Sequence, residues 1–142
     1  MEPRISLIAL GVDDLERSYR FYHDGLGFPA NYAGGDILLF RSSDSRLALY
    51  PRSSLTKDSA PRLVGKHSEF PGATLNYNTG DKALVDLLLH RAELAGGEIV
   101  KPAEDTFWGG YSGYFSDPDG YLWEVAWADF WQINEDGTVE ID

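Results

Sequence analysis

The sequence predicts an α+β fold, with tandem βαβββ modules forming curved mixed sheets around a shared cavity. Three observations predict it. One order of elements (strand, helix, three strands) occurs twice, over about 4–51 and 71–128. Each helix carries a single apolar face, so each module is a sheet covered by a helix on one side only. The 142 residues suit one domain, or two half-domains sharing a core.

Ile5–Val12 is a nearly continuous apolar run, suited to a buried strand. Asp13 opens a helix, with Glu16 completing a box-like cap. Leu15, Tyr19, Tyr22 and Leu26 mark its apolar face, and Gly25 and Gly27 end it. Asn31–Ala33, Asp36–Arg41 and Ser45–Pro51 are three short strands, joined by turns at Gly34-Gly35 and Ser42–Ser45. Residues 52–70 are polar and aperiodic, a connector with about one turn of helix.

The order then repeats. Gly72–Thr79 is a strand, and Thr79 or Asp81 caps a helix whose face is Val85, Leu88, Leu89, Ala92 and Ala95. Gly96-Gly97 stop that helix. Glu98–Pro102, Phe107–Ser116 and Tyr121–Ala128 are strands. Asp117-Pro118-Asp119-Gly120 joins the last two, with Pro setting φ and Gly supplying a positive φ. The two copies share almost no identities, so the repeat is architectural. The domain plan is one domain over 1–142: module one at 4–51, the connector at 52–70, module two at 71–128 and an acidic tail at 129–142. The tail packs through Phe130, Trp131 and Ile133 or frays.

Composition excludes several functions. Twelve Lys and Arg against 23 Asp and Glu leave a net charge of −11, which argues against nucleic acid and favours cationic partners. Without cysteine there is no disulfide and no thiolate metal site. No apolar run is long enough to span a membrane, and the N-terminal run is a strand rather than a signal peptide, so a cytoplasmic location is expected. No cysteine nucleophile, nucleophile elbow or phosphate loop is present.

Three stretches resemble the vicinal oxygen chelate superfamily, which includes glyoxalase I, bleomycin-resistance proteins and extradiol dioxygenases. They are Leu10–Tyr22 with the following Leu26-Gly27-Phe28, then Gly96–Pro102, then Gly113–Val125 with its Asp-Pro-Asp-Gly turn. The resemblance covers about 4–128. It implies one divalent metal held by His, Glu or Gln on the first and last strands of each module. Carried over, those positions are Leu7, Leu49, Ala73 and Glu124, and three of the four offer no lone pair. A slip of one residue reaches Ser6, Ile8, Ala48, Tyr50, Gly72 or Thr74, no better set. No cofactor and no metal ligand are therefore expected. This puts lyase, isomerase and dioxygenase chemistry in doubt.

A cavity remains. Alternation from those four positions turns Ala9, Leu75, Tyr77, Leu122 and Ala126 inward as well. A three-residue Pro118–Gly120 loop pairs Tyr114 with Glu124 on that face, while Phe115, Trp123 and Val125 face the helix. Trp108 lies near the far end of the hairpin. The expected ligand-binding residues are thus Leu7, Leu49, Ala73, Leu75, Tyr77, Trp108, Tyr114 and Glu124. This is an apolar, aromatic hollow with one acid and no Lys or Arg. It suits a small organic ligand that is cationic or bears an amine, as the bleomycin-resistance branch binds a basic drug without metal. The other reading is a lyase, isomerase or dioxygenase with a reduced metal site, or with Glu124 as general acid or base. Whether the protein is an enzyme stays open. A homodimer is expected, because each sheet leaves an edge.

Overall fold

A computed structural model describes residues 6–32, 36–41, 45–59 and 73–140. The chain divides into two compact units, Met1–Glu69 and Phe70–Asp142. Each is a four-stranded mixed sheet with a helix between its first and second strands, so the βαβββ order holds in both.

In the first unit, β1 (Ile8–Val12) leads through Asp14 into α1 (Leu15–Tyr19), which runs on as a π-helical stretch, Arg20–Gly25. Then follow β2 (Ala30–Tyr32), β3 (Leu38–Arg41), β4 (Arg46–Pro51) and α2 (Arg52–Ser59). The sheet order is β1-β4-β3-β2, with β1 parallel to β4 and the other pairs antiparallel. The helix cap is Asp14 rather than Asp13: its carboxylate accepts from Arg17 N at 3.0 Å, while Asp13 accepts from Arg52 Nε at 2.9 Å. The wider π turn rotates the helix face. Ser18, Phe21 and Tyr22 are buried, whereas Leu15, Tyr19 and Leu26 are only half-buried. Tyr22 meets Phe40 at 5.7 Å between ring centres, which fixes the side of the sheet that the helix covers. Leu10, Val12, Leu38, Phe40, Leu47 and Leu49 make up that buried side.

The polar connector begins as two turns of helix, not one. Arg52 starts α2 against the opposite side of β1, so close that a Cβ on Gly11 would lie 3.1 Å from Arg52 Cα. Ile5, Ala33, the Gly34-Gly35 turn and residues 60–72 lie outside the described residues.

In the second unit, β5 (Leu75–Asn78) is followed by α3 (Lys82–Leu94), β6 (Glu98–Asp105), β7 (Tyr111–Ser116) and β8 (Leu122–Trp127). The order β5-β8-β7-β6 repeats that of the first sheet. Asp81 caps α3 by accepting from Ala83 N at 2.9 Å. Val85, Leu89 and Ala92 pack onto Phe115, Trp123 and Val125, and the Phe115 and Trp123 rings lie parallel at 6.1 Å.

Strand β6 outruns the expectation that Pro102 ends it. It is an edge strand, so the missing N–H breaks no ladder bond, and register shifts between Ile99 and Glu104 absorb the ring. Phe107–Gly110 forms a turn instead of opening β7. The tail is ordered as a small hairpin, β9 (Gln132–Ile133) with β10 (Val139–Glu140). Its turn is held by the Asp136 carboxylate, which accepts from Thr138 N and Oγ1 at 3.0 and 2.6 Å. Among the described residues no helix is long and apolar enough to cross a membrane.

Candidate functional site

The Asp-Pro-Asp-Gly turn sets the register of the site. Asp117 is buried, and its Oδ1 accepts from Asp119 N at 2.9 Å and Tyr121 N at 2.8 Å. Gly120 takes the left-handed conformation, with φ of 87°. Asp117 therefore faces Tyr121, and counting back along the ladder brings Tyr114 opposite Glu124, as the loop length predicts.

Parallel pairing of β5 with β8 sets Asn76 beside Glu124 and Asn78 beside Ala126. Asn76 Nδ2 donates to Glu124 Oε2 at 2.7 Å, and Thr74 Oγ1 donates to Asn76 Oδ1 at 3.2 Å, which fixes the amide's orientation. Burial pushes the Tyr114 phenol above its ordinary pKa, and its hydrogen bond to Glu124 and the carboxylate's charge add to that. Asn78 Oδ1 on the same face is buried with no hydrogen-bond partner among the described residues. Glu124 is thus a half-buried carboxylate gripped by one amide and one phenol, on the sheet face turned away from α3.

This face is more polar than expected. Leu75 pairs with Trp123 and Tyr77 with Val125, so both lie on the α3 side of the sheet, and Tyr77 is 47% exposed at that edge. Ala73 shares their parity. The expectation that Ala73, Leu75 and Tyr77 line the Glu124 face is corrected to Thr74, Asn76 and Asn78. A polar alternation marked the open face, and the apolar one marked the helix side. Lys101 is also opposite Tyr114 on β6, with its ammonium 2.6 Å from Glu104 Oε1.

In the first unit, alternation with Ala9 and Gly11 puts Leu7, 41% exposed, on the side of β1 away from Leu10 and Val12, where Leu49 is expected to join it. Leu49 does not. It pairs with Leu10 and Leu38 on the helix side and is fully buried, so Ala48 and Tyr50 share the face of Leu7 instead. Trp108 is taken up elsewhere: its indole covers Gly110 and stacks on Trp131 at 5.3 Å.

The sequence profile of the Glyoxalase/Bleomycin resistance protein/Dioxygenase superfamily matches residues 4–125. The chain belongs to this superfamily. Among solved structures, a glyoxalase-related enzyme from Fulvimarina pelagi is 33% identical, covers 99% of both chains and superposes with a TM-score of 0.87. A hypothetical protein, SA1046 from S. aureus, is 23% identical over 90% of this chain and 95% of its own, with a TM-score of 0.78. A lactoylglutathione lyase from Agrobacterium tumefaciens is 24% identical over 92% and 98%, with a TM-score of 0.67. These last two share the fold. No curated protein matches the chain.

The metal of the superfamily finds a poor donor set on the second glyoxalase-type sheet. Beside Glu124 stand one carboxamide and one phenol, and Asn76 turns its N–H, not its oxygen, toward the carboxylate. No cluster of three His, Cys, Asp or Glu that could hold a metal occurs among the described residues. This does not fit the His, Glu and Gln ligation that the resemblance implies, and no chemical step is assigned to a metal.

Proposed function

We propose that this protein binds a small organic ligand bearing a cationic or amine nitrogen, through Glu124, without a metal. The observation that carries this is the Asn76–Glu124–Tyr114 arrangement. Two neutral donors hold the carboxylate in place, yet neither cancels its charge. A carboxylate accepts up to about four hydrogen bonds, so capacity remains for a donor from a ligand. Lys101 is paired with Glu104, and the net charge of −11 draws cations toward the protein. On the same reading the protein is a cytoplasmic homodimer, with open sheet edges available for pairing.

A second reading has support in the 33% identity to a glyoxalase-related enzyme. There Glu124 is a general acid or base in a lyase, isomerase or dioxygenase reaction, with the Tyr114 hydrogen bond holding its carboxylate in place.

The test is a binding titration of purified protein against a panel of aromatic amines and guanidines, with elemental analysis of the same sample. Saturable binding that Glu124→Gln weakens by about 1.5–3 kcal/mol supports the proposal. A stoichiometric divalent metal, or binding indifferent to Glu124→Gln, overturns it.

A further inference from the structure

The two carboxamides on the sheet face turned away from α3 are held differently. Asn76 is committed at both ends: its Nδ2 donates to Glu124 and its Oδ1 accepts from Thr74. Asn78 lies two residues along β5 on the same face. Its Oδ1 is shut off from solvent and has no hydrogen-bond partner, and among the described residues it is the one buried side-chain polar atom in that condition. A buried acceptor without a donor costs about as much as a broken hydrogen bond, and natural folds carry few of them.

Its neighbours on the sheet cannot supply the donor. The Asn78 rung runs from β5 through Ala126 on β8 to Ser112 on β7, next to the rung of Asn76, Glu124 and Tyr114. Ala126 has no donor in its side chain, and Ser112 is two strands away, about 9 to 10 Å. The face also deepens in this direction. Asn76 is exposed and Glu124 and Tyr114 are half-buried, whereas Asn78 is half-buried and Ala126 and Ser112 are buried.

We propose that Asn78 is a specificity-determining residue of the Glu124 site, and that the ligand is an amine bearing a second donor, a hydroxyl or an amide N–H, roughly 7 Å from its cationic nitrogen. This rests on Glu124 as the partner of the cation. The spacing is that of two residues along a strand, the offset between the two rungs. The cation lies at the shallower rung, where water still reaches it. The neutral donor lies at the deeper one, where an uncharged group costs less to desolvate. The Asn78 oxygen is covered as it lies, so the carboxamide turns about its side-chain bonds to meet the donor. That turn exchanges an unmade hydrogen bond for a made one, which the committed amide of Asn76 cannot do.

The experiment is a calorimetric titration of the whole protein with two matched probes, p-(hydroxymethyl)benzylamine and p-methylbenzylamine, which differ by the hydroxyl. The parent should bind the hydroxyl probe about five- to tenfold more tightly, the worth of one net hydrogen bond. Asn78→Leu keeps the bulk and removes the carbonyl, and Asn78→Ala removes both. Each should bind the two probes equally, and Asn78→Leu should melt no lower than the parent, because a buried unpaired acceptor has gone. Glu124→Gln should weaken both probes alike and leave their ratio unchanged. Equal binding of the two probes by the parent, a preference that survives both Asn78 substitutions, or a lower melting temperature in both would overturn the inference and leave Glu124 as the partner of the cation. Binding of neither probe, or binding of both that ignores Glu124→Gln, would overturn the two together.

Discussion

Asn76 donates to Glu124 at 2.7 Å across 48 residues of sequence, joining the edge strand β5 to the central strand β8. The bond decides which side of β5 faces the carboxylate, and hence which residues a ligand there would meet. Asn76→Asp replaces a donor with a second carboxylate, and like charges at this distance cannot both ionise freely. The pair then holds a proton more tightly in the folded state than when unfolded. The variant should match the parent in acid and fall behind as pH rises through the carboxylate range. Solvent at this exposed edge limits the loss to about 1 kcal/mol at neutral pH. Thermal melts at acid and neutral pH check this, and a pH-independent difference would contradict it.

Tyr114 offers a second pH handle. Burial first, then the Glu124 hydrogen bond and charge, raise its phenol above 10.0. The folded state therefore holds this proton more tightly than the unfolded chain does. The resulting stability is complete below the ordinary phenol pKa and is lost as pH rises through the raised value. In Glu124→Gln the burial remains but the charge goes, so the phenol should titrate earlier, though still above its ordinary value. The phenolate absorbance that Tyr114→Phe removes identifies its step, and no shift between parent and Glu124→Gln would break the link.

Asp117 is read from sequence as a turn former, and the structure gives that role a physical content. Its Oδ1 serves two backbone N–H groups, of Asp119 and Tyr121, on a residue that is buried. Asp117→Ala should cost about 2–3 kcal/mol, measured by urea unfolding. Asp117→Asn keeps an acceptor and should recover part of that loss. If alanine is harmless, the turn is not what pins Tyr114 opposite Glu124.

Sequence revealed most of the fold because its signals are local. Helix faces, glycine stops and the Asp-Pro-Asp-Gly turn each act within a few residues, and the turn alone fixes the Tyr114–Glu124 pairing. The strand faces were harder. In Leu75-Asn76-Tyr77-Asn78 the alternation is plain, but which set meets the carboxylate depends on pairing with a strand nearly fifty residues away. Expecting an apolar hollow assigned the leucine and tyrosine to it, against the ordinary rule that the polar set faces away from the helix. Leu49 failed differently: in Leu47-Ala48-Leu49 every side chain is apolar, so alternation is invisible. The π turn after Tyr19 likewise leaves no mark in an apolar periodicity written for 3.6 residues per turn.

The Leu7 and Leu49 pair tests this assignment of faces directly. Both are leucines, and family spacing puts both at ligand positions, yet one is 41% exposed and the other is sealed against Leu10 and Leu38. Leu49→Ala removes buried methyl groups and leaves a void beside Leu10 and Leu38. It should cost about 2–5 kcal/mol. Leu7→Ala leaves no void and should change stability by no more than about 0.5 kcal/mol. Denaturant unfolding of the two variants, with the spectra of the folded states compared first, measures both. Equal small losses would mean that Leu49 is on the open face after all. β4 would then present Leu47 and Leu49 beside Leu7, and the first unit would have an apolar wall where the structure has Ala48 and Tyr50.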